Sequence, residues 1–461
     1  MLSEQSSCAY LNQQFNELTG LVRNSPFINY NVRRNTLLTL KKLLIKNHVE
    51  LCDSLNQDYG HRPYFDSLAG DILSTISSIN YTVKQLNKWM RPSKRQSGAV
   101  VRYQALGIVG IICPWNFPIS LSMIPAIQAL AAGNRVLIKI SELNPNTGKL
   151  LCKLCQPLSP FIRMIQGDSS VGMHFSTLKF NHLVFTGSAS TGRKVMAAAA
   201  KNLTPVTLEL GGKSPVIIDE TARLSQCIHA IIFGKIFNAG QVCIAPDYVF
   251  IIDNRLNLFI QKIIKAYTQH YNSKRVTTII SNYHANRIQK LLDDAKLKGA
   301  KIYTIPISRQ LSPHEIPPSI ITNTNDTMAI MHEEIFGPLL IVKPYTSLQQ
   351  VIKYINQRPS PLALYIMSTN TSTINTLLDN THSGGVSVND CFVHASINDA
   401  PFGGIGESGM GHYKGKEGFL TFSKAKTVFY TSRWSIKNNS ILVCRSFITT
   451  LLRFILRAQS R

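Results

Sequence analysis

The chain has few acidic residues and no long hydrophobic run. Its 461 residues contain 25 aspartates and glutamates against 49 lysines and arginines, which gives a net charge of +24. No stretch reaches the roughly 18 consecutive apolar residues that a membrane-spanning helix requires. The first residues, MLSEQSSCAYLNQQF, include an acid and no continuous apolar segment, so no secretory signal is expected. These absences favour a cytoplasmic protein.

Cysteine occurs without a pairing pattern. The nine cysteines are an odd number at irregular spacings, which is typical of reduced thiols. Cys152 and Cys155 form a C-x-x-C pair in a helical pattern with no second pair, so we interpret them as buried helix cysteines rather than redox or metal ligands. Zinc-finger spacing and RNP-like aromatic motifs are lacking, so we predict no metal site and no nucleic-acid partner. Most of the positive charge is interpreted as a solvated surface.

One basic segment differs from this dispersed pattern. Residues 418–461 contain no acid, and their end, SILVCRSFITTLLRFILRAQSR, predicts a basic amphipathic helix. Polar side chains four residues apart form one stripe: Arg445, Thr449, Arg453 and Arg457. Apolar side chains cover the remaining surface: Leu442, Phe447, Ile448, Leu451, Phe454 and Ile455. Such a helix can lie on an anionic membrane or cover a groove on a partner subunit, and the sequence favours neither.

Helical patterns and short apolar runs alternate along the chain. The first 90 residues are helical in pattern, and Arg91-Pro92 breaks that pattern. The segments GIVGII, PISLSMIPAIQALAAG and NRVLIKI then predict a strand, a helix and a strand within about 34 residues, the length of a βαβ unit. Six more runs are strand candidates: LVFTG, PVIID, DYVFII, PLLIVKPY, ALYIMS and GVSVN. This alternation predicts an α/β fold with mostly parallel sheets, and the length predicts two such domains.

Three segments carry side chains suited to carbonyl chemistry. Cys243 follows NAGQV in a short piece between Gly240 and Pro246, where a loop thiol can meet a substrate, although it is one of nine thiols. Glu209 in LELGGKSP is costly to bury unpaired, so it is either in a structural ion pair or a base acting on the Cys243 thiol or on water. Asn116 in CPWNFP can donate to an oxyanion or simply form a turn.

Two further segments are suited to a dinucleotide. FTGSASTG places Gly187, Ser188 and Gly192 at a strand end and helix start, where pyrophosphate can reach helix N–H groups, although the motif is not G-x-G-x-x-G. LIKISELNP places Lys139 and Glu142 where a ribose lies in a doubly wound sheet, with plain surface charge as the alternative.

Glycines and an acidic turn add to this set. Gly211 and Gly212 leave room for backbone to approach a ligand closely. In HEEIFGP, one carboxylate can hold a ribose diol while Phe336 packs against nicotinamide, and an acidic turn is the alternative. His332 and His394 lie near these motifs without an assigned role.

PWNFP, LELGGK, NAGQVC and EEIFGP, in this order, resemble the aldehyde dehydrogenase superfamily from about Gly107 to Phe422. The closing PFGGIGESGMGHYKGKEGF resembles its shorter, typically dimeric branch, which includes coniferyl-aldehyde and fatty-aldehyde enzymes. The resemblance implies a Rossmann-like cofactor domain, an α/β catalytic domain and a small bridging β-arm. The expected limits are 1–205 for the cofactor domain with a bridging segment near 90–104, 206–395 for the catalytic domain, 396–430 for the return to the bridging region and 431–461 for the basic tail.

The resemblance also implies roles for the residues quoted above. Cys243 is expected to be the nucleophile, Glu209 the general base and Asn116 the oxyanion donor, assisted by the Cys243 backbone N–H. The expected cofactor-binding residues are Trp115, Lys139, Glu142, Gly187, Ser188, Gly192, Glu334 and Phe336. NAD is expected because Glu142 repels a 2′-phosphate, but NADP stays open because this glutamate can swing aside in the branch. Ile140 stands where the family often has proline, which changes local stiffness only.

The expected reaction converts an aldehyde to its carboxylate through a thiohemiacetal and a thioester on Cys243. Coniferyl or another aromatic aldehyde is the expected substrate, and a homodimer is the expected assembly. One alternative is a long-chain fatty aldehyde dehydrogenase at a membrane surface. A second is a non-catalytic, membrane-docked protein on the same fold. A CoA-acylating enzyme is disfavoured because it should lack the base that Glu209 provides.

Overall fold

The computed structural model describes residues 4–271, 276–431 and 444–459. Residues 432–443 of the predicted tail, Leu442 among them, lie outside the described residues. The chain forms two compact units, the first comprising Met1–Met90 with Gln104–Lys424 and the second Arg91–Tyr103 with Ala425–Arg461.

Helices cover most of the N-terminal 90 residues and alternate with strands thereafter. In chain order they are α1 (Glu4–Asn24), α2 (Tyr30–Lys46), α3 (His48–Tyr59), α4 (Tyr64–Ser67), a π-helix (Leu68–Leu73), α5 (Ser74–Trp89), α6 (Ser120–Ala132), α7 (Pro145–Cys155), α8 (Ser169–Ser176), α9 (Ala189–Ala200), α10 (Leu224–Ile236), α11 (Leu256–Tyr271), α12 (Asn282–Leu297), α13 (Leu348–Asn356), α14 (Thr371–Asn380), α15 (Val393–Ser396), α16 (Gly415–Thr421) and α17 (Arg445–Gln459).

The strands of the described residues form three sheets. They are β1 (Ser93–Lys94), β2 (Ala99–Ala105), β3 (Ile108–Ile112), β4 (Arg135–Lys139), β5 (Ile162–Ile165), β6 (His182–Thr186), β7 (Val206–Glu209), β8 (Ser214–Ile218), β9 (Pro246–Ile252), β10 (Lys301–Thr304), β11 (Ser319–Thr322), β12 (Leu339–Tyr345), β13 (Ala363–Met367), β14 (Gly385–Val388), β15 (Gly409–Met410) and β16 (Ser423–Phe429).

The first sheet has the order β15-β7-β6-β3-β4-β5, and only β15 is antiparallel to its neighbour. The predicted βαβ unit is present as β3, α6 and β4, and α6 ends at Gly133, whose φ of 94° is left-handed. From the central β3 the chain proceeds to β4 and β5 on one side and resumes with β6 on the other. The strand order therefore reverses between β3 and β6, where a crevice opens at the carboxyl ends of the strands.

The second sheet has the order β10-β11-β12-β9-β8-β13-β14, with β10 alone antiparallel. Its central strands are buried on both faces, which explains their continuous apolar runs. All six runs proposed as strands after the βαβ unit are strands: β6, β8, β9, β12, β13 and β14. An α/β fold with two mostly parallel sheets is thus confirmed.

The second unit contains most of the third sheet, whose order is β1-β2-β16. This sheet occupies the segments in which the resemblance implies a β-arm, while the limits at 205/206 and 395/396 remain predictions. The predicted tail helix is present as α17, and its apolar side chains are largely exposed. Within the described residues, no helix combines the length and apolar character needed to cross a membrane.

Candidate active site

The Cys243 loop begins with three consecutive residues in left-handed backbone conformations. Asn238, Ala239 and Gly240 have φ values of 50°, 53° and 71°. The buried side chain of Gln241 holds this turn: its amide donates to the Asn238 carbonyl at 2.9 Å and to the Thr278 carbonyl at 3.1 Å. The chain then presents Cys243 just before β9 begins. A tight turn that Gln241 braces thus fixes the thiol just before the amino end of β9, a central strand of the second sheet.

Asn116 lies in the loop that follows β3 and is 4% exposed. Its side-chain amide donates to the Gln241 carbonyl at 3.1 Å, and its own carbonyl accepts from the Asn238 amide at 3.3 Å. The Tyr59 hydroxyl donates to the same Asn116 carbonyl at 3.1 Å. The structure therefore brings Asn116 and the Cys243 loop together.

Glu209 is the last residue of β7 and is 2% exposed. Within the described part of the chain, neither carboxylate oxygen has a hydrogen-bond partner and no cation forms an ion pair with it. Burial raises the pKa of Glu209 well above its ordinary range, and the charge of Lys414 lowers it in part. The structural ion pair considered from the sequence is therefore not found.

Cys243 is half-buried, and its thiol resists ionisation. Burial, together with the smaller effects of the charges of Glu334 and Glu209, raises the pKa of Cys243 to about 12. Lys414 acts in the opposite direction on this pKa. Its ammonium group donates to the Ala395 carbonyl, and burial lowers the Lys414 pKa to about 8. Sequence reasoning missed Lys414 because a lysine among glycines resembles an ordinary surface residue.

The carboxylate of Glu334 fills the space that Gly211 leaves open. A β-carbon at Gly211 would overlap the Glu334 carboxylate, which also accepts a hydrogen bond from the Gly212 backbone N–H. Burial and the nearby Asp247 raise the pKa of Glu334 to about 8. The expectation that these glycines leave room for a ligand is corrected for Gly211, because a side chain of the protein occupies that space.

A cavity of about 900 Å³ connects these groups. Eight of the eleven residues expected to have a catalytic or cofactor-binding role line it: Trp115, Asn116, Gly187, Ser188, Glu209, Cys243, Glu334 and Phe336. The Phe336 ring meets the Trp115 ring edge to face at 5.3 Å. The cavity joins a polar end, where Ser188 caps the start of α9, to an end that contains the thiol. Its volume and this lining fit a dinucleotide beside a small substrate.

Three expected cofactor residues lie outside this lining. Lys139 and Glu142 form an ion pair of 2.8 Å at the end of β4, with Lys139 buried and the Glu142 side chain half-exposed. Gly192 is buried in α9, where a β-carbon would come within 2.8 Å of Leu210. The absence of a side chain at Gly192 therefore lets the helix pack against the sheet, which differs from the pyrophosphate access that its motif suggested.

Three charged residues to which the sequence analysis assigned no role hold the Glu334 loop in place. Lys213 donates to the Glu333 carbonyl at 2.9 Å and pairs with Asp247, whose carboxylate accepts from the Ile335 N–H at 2.9 Å. Arg287 donates to the Glu334 carbonyl at 3.0 Å. Of these residues, only Lys213 could have been suspected from the sequence, because it lies inside the motif LELGGKSP.

The remaining candidates from the sequence have local contacts. Cys152 and Cys155 lie on α7, as predicted, and both are free thiols; Cys155 is buried as expected, whereas Cys152 is only partly buried. His332 lines the cavity rim with Nε2 2.6 Å from the Asp326 carbonyl oxygen. His394 pairs its Nδ1 with the Ser387 hydroxyl at 2.7 Å.

The doubly wound sheet, its crevice and the thiol, carboxylate and amide around one cavity define a dinucleotide-dependent enzyme of carbonyl chemistry. The model of the aldehyde dehydrogenase family matches residues 27–428, so the chain belongs to this family of NAD(P)-dependent oxidoreductases. A probable coniferyl aldehyde dehydrogenase of Pseudomonas aeruginosa is 42% identical over 93% of this chain and 94% of its own length. A coniferyl aldehyde dehydrogenase of a Pseudomonas species is 38% identical over 88% and 87%. The structure of Staphylococcus aureus AldH in a substrate-bound state superposes with a TM-score of 0.86 at 30% identity, over 95% of this chain and 99% of that one.

Proposed function

We propose that the protein oxidises an aromatic aldehyde to its carboxylate, with NAD+ and water, through a covalent intermediate on Cys243. The observation that carries the proposal is the meeting of Cys243, Glu209 and Asn116, from three separate segments, at one cavity. The 42% identity to a probable coniferyl aldehyde dehydrogenase supports the choice of an aromatic substrate.

In the first half of the reaction Glu209 takes the proton of the Cys243 thiol and releases it to solvent, and the thiolate attacks the aldehyde carbonyl carbon. The side-chain amide of Asn116 and the Cys243 backbone N–H stabilise the oxyanion that forms. One amide N–H of Asn116 already donates to the Gln241 carbonyl, so the second is the donor for the oxyanion. Bound nicotinamide supplies the hydride acceptor. Loss of the hydride leaves a thioester on Cys243.

In the second half Glu209 takes a proton from water, which attacks the thioester. The raised pKa of Glu209 makes it a stronger base than an ordinary carboxylate. The acid leaves, and Cys243 is released as the thiolate. Lys414 favours the anionic forms of both Cys243 and Glu209, so it supports each half of the cycle.

The cavity and the neighbouring β4 end contain the residues that would hold the dinucleotide. The capped start of α9 at Ser188 suits the pyrophosphate, and Glu334 with Phe336 suits the nicotinamide riboside. Glu142, paired with Lys139, would accept from the adenosine ribose hydroxyls and repel a 2′-phosphate. These residues support NAD over NADP.

A panel of coniferyl, benzyl and fatty aldehydes, assayed with NAD and NADP, tests the proposal. We expect the highest kcat/KM for coniferyl aldehyde with NAD, and loss of NADH production in the Cys243→Ala variant. Cys444→Ala, at an exposed cysteine of the tail, is the matched control and should keep full activity. Full activity of Cys243→Ala with every aldehyde would overturn the mechanism, and a preference for fatty aldehydes would overturn the substrate assignment.

The exposed apolar side of α17 favours a second candidate, a fatty aldehyde dehydrogenase at an anionic membrane surface. Phe447 and Phe454 are 71% and 70% exposed, and arginines occupy the other face. Co-sedimentation with vesicles of phosphatidylserine and phosphatidylcholine should then be lost on deletion of residues 438–461. Vesicles of phosphatidylcholine alone should bind less protein. Unchanged binding after the deletion would refute the membrane role of the tail.

A further inference from the structure

A fully buried ionic group lies behind the catalytic loops, and the mechanism above makes no use of it. Arg62, Asp66 and Asp71 are 2%, 7% and 0% exposed, and none of them lines the cavity. Arg62 and Asp71 form an ion pair of 3.1 Å. Burial raises the pKa of both aspartates, so the fold maintains them at a cost in stability. The hydrogen-bond partners of Asp66 and Asp71 show which loops these residues hold.

Asp66 holds the turn that leads to the nucleophile. One oxygen of its carboxylate accepts both from the Asn238 backbone N–H at 3.0 Å and from the Thr277 hydroxyl at 2.7 Å. Asn238 begins the left-handed turn, and the residue after Thr277 provides the carbonyl to which Gln241 donates. Asp66 thus joins the start of the turn to the segment that braces its end.

Asp71 and Arg62 hold the loop that contains Asn116. One oxygen of Asp71 accepts from the backbone N–H groups of Ile119 and Ser120, each at 3.0 Å, where α6 begins. The Arg62 guanidinium lies 4.9 Å from the ring centre of Phe117, the residue after Asn116. Asp66 and Asp71 therefore each fix one of the two loops that meet at the candidate active site.

The π-helix begins just after Asp66 and contains Asp71. In a regular α-helix, residues five apart point about 140° away from each other. The i→i+5 bonding of residues Leu68–Leu73 widens the turn and brings Asp71 back toward the face of Asp66. A single irregular turn of the N-terminal region thereby lets one short segment reach both loops.

We propose that Asp66 is a positioning residue for the reaction: by fixing the Asn238–Gly240 turn, it sets the separation between the Cys243 thiol and the Asn116 amide. The inference rests on the proposed roles of Cys243 and Asn116. Asp66 itself touches neither substrate nor cofactor. A displaced turn would leave the oxyanion beyond the reach of the Asn116 donor.

The test compares Asp66→Ala with a matched buried aspartate. Asp219 is 6% exposed and likewise accepts from a backbone N–H, that of Thr221 at 2.8 Å, but it lies away from both loops. Asp66→Ala should lower kcat/KM about 10- to 100-fold, since small misplacements of reacting groups cost this much. Asp219→Ala should leave kcat/KM near that of the unaltered enzyme at a temperature where both variants are folded. Asp66→Asn keeps an oxygen that can accept both hydrogen bonds, so it should retain most activity.

A double-mutant cycle with Asn116→Ala separates positioning from general destabilisation. If Asp66 acts through Asn116, Asp66→Ala should lower kcat/KM far less in the Asn116→Ala background. An equal loss in both backgrounds, or an equal loss in Asp219→Ala, would overturn the inference. If Asn116→Ala alone has full activity, the proposed mechanism fails instead. Should Asp66→Ala not fold, Thr277→Val removes one of the two hydrogen bonds and undergoes the same cycle.

Discussion

Glu209 places a carboxyl group where the described residues offer it no hydrogen bond. The residue ends β7 and is paired in register with Gly409 of β15, so backbone pairing holds it while its side chain lies in the buried part of the cavity. A buried carboxylate without a partner costs free energy, and the proposed role of Glu209 as a base gives a reason for its retention. Stability and activity therefore conflict at this residue.

This conflict predicts that Glu209→Gln stabilises the protein while it impairs thioester hydrolysis. The unfolded chain releases the Glu209 proton near pH 4.5, whereas the folded chain keeps it to a much higher pH. The folded state therefore binds more protons between these values, and its stability falls as pH rises through them. At pH 8 the free energy of unfolding of Glu209→Gln should exceed that of the unaltered enzyme by about 1–3 kcal/mol.

Urea unfolding followed by fluorescence from pH 4 to pH 8 provides the measurement. The difference should vanish near pH 4, where the carboxyl group is protonated in both states. Glu50→Gln, at an exposed residue of α3, should change stability little at any pH. A Glu209→Gln variant less stable than the unaltered enzyme at pH 8 would contradict the account.

At the scale of elements, the Cys243 turn is in tight contact with the loop that follows Glu334. A β-carbon at Gly240 would lie 2.5 Å from the Gly337 carbonyl oxygen, and Gly240 has a φ of 71°. Gly299 has a φ of 92° and open space around it. At both positions the left-handed backbone would destabilise a residue with a side chain by about 1 kcal/mol. Only at Gly240 would the side chain also clash with a neighbouring atom.

We therefore expect Gly240→Ala to lose most kcat/KM, because either the thiol or the Glu334 loop must move. Gly299→Ala should lose a similar amount of stability from backbone strain and keep its activity. Steady-state kinetics and melting temperatures of the two variants provide the comparison. Equal kcat/KM values for the two variants would show that the structure accommodates a side chain at Gly240 without displacing the catalytic groups.

The long apolar elements could be predicted from the sequence, since strands buried on both faces must be apolar throughout. Strands β5 and β10 could not be predicted, because they are only four residues long and are interrupted by the charged residues Arg163 and Lys301. The π-helix was also invisible, because its signal is a hydrogen-bond shift with no preferred residue type.

The sequence motifs predicted which residues line the candidate site, but they did not predict the contacts that these residues make. Cys243, Glu209 and Asn116 do meet at one cavity, as expected. The filling of the Gly211 space by Glu334 and the proximity of Lys414 depend on contacts between distant segments. Spacing within one motif contains no information about such contacts.

At the scale of the whole molecule, the third sheet offers a surface for assembly. In the order β1-β2-β16, strand β16 is paired on one side only among the described residues. Phe429 at its end is 59% exposed, and Tyr430 after it is 62% exposed. An unpaired strand edge beside exposed aromatic residues is the kind of surface that a second chain covers.

We predict that the full chain is a homodimer and that this edge contributes to the interface. Light scattering after gel filtration should give about twice the 51.4 kDa of one chain. The double variant Phe429→Ser with Tyr430→Ser should shift the mass toward a single chain, because it removes apolar area from the interface. Leu297→Ser, at a side chain that is 88% exposed on α12, removes apolar surface elsewhere and should leave the dimer intact. A dimer that persists in the double variant would place the interface on another surface, and a monomeric unaltered protein would refute the prediction.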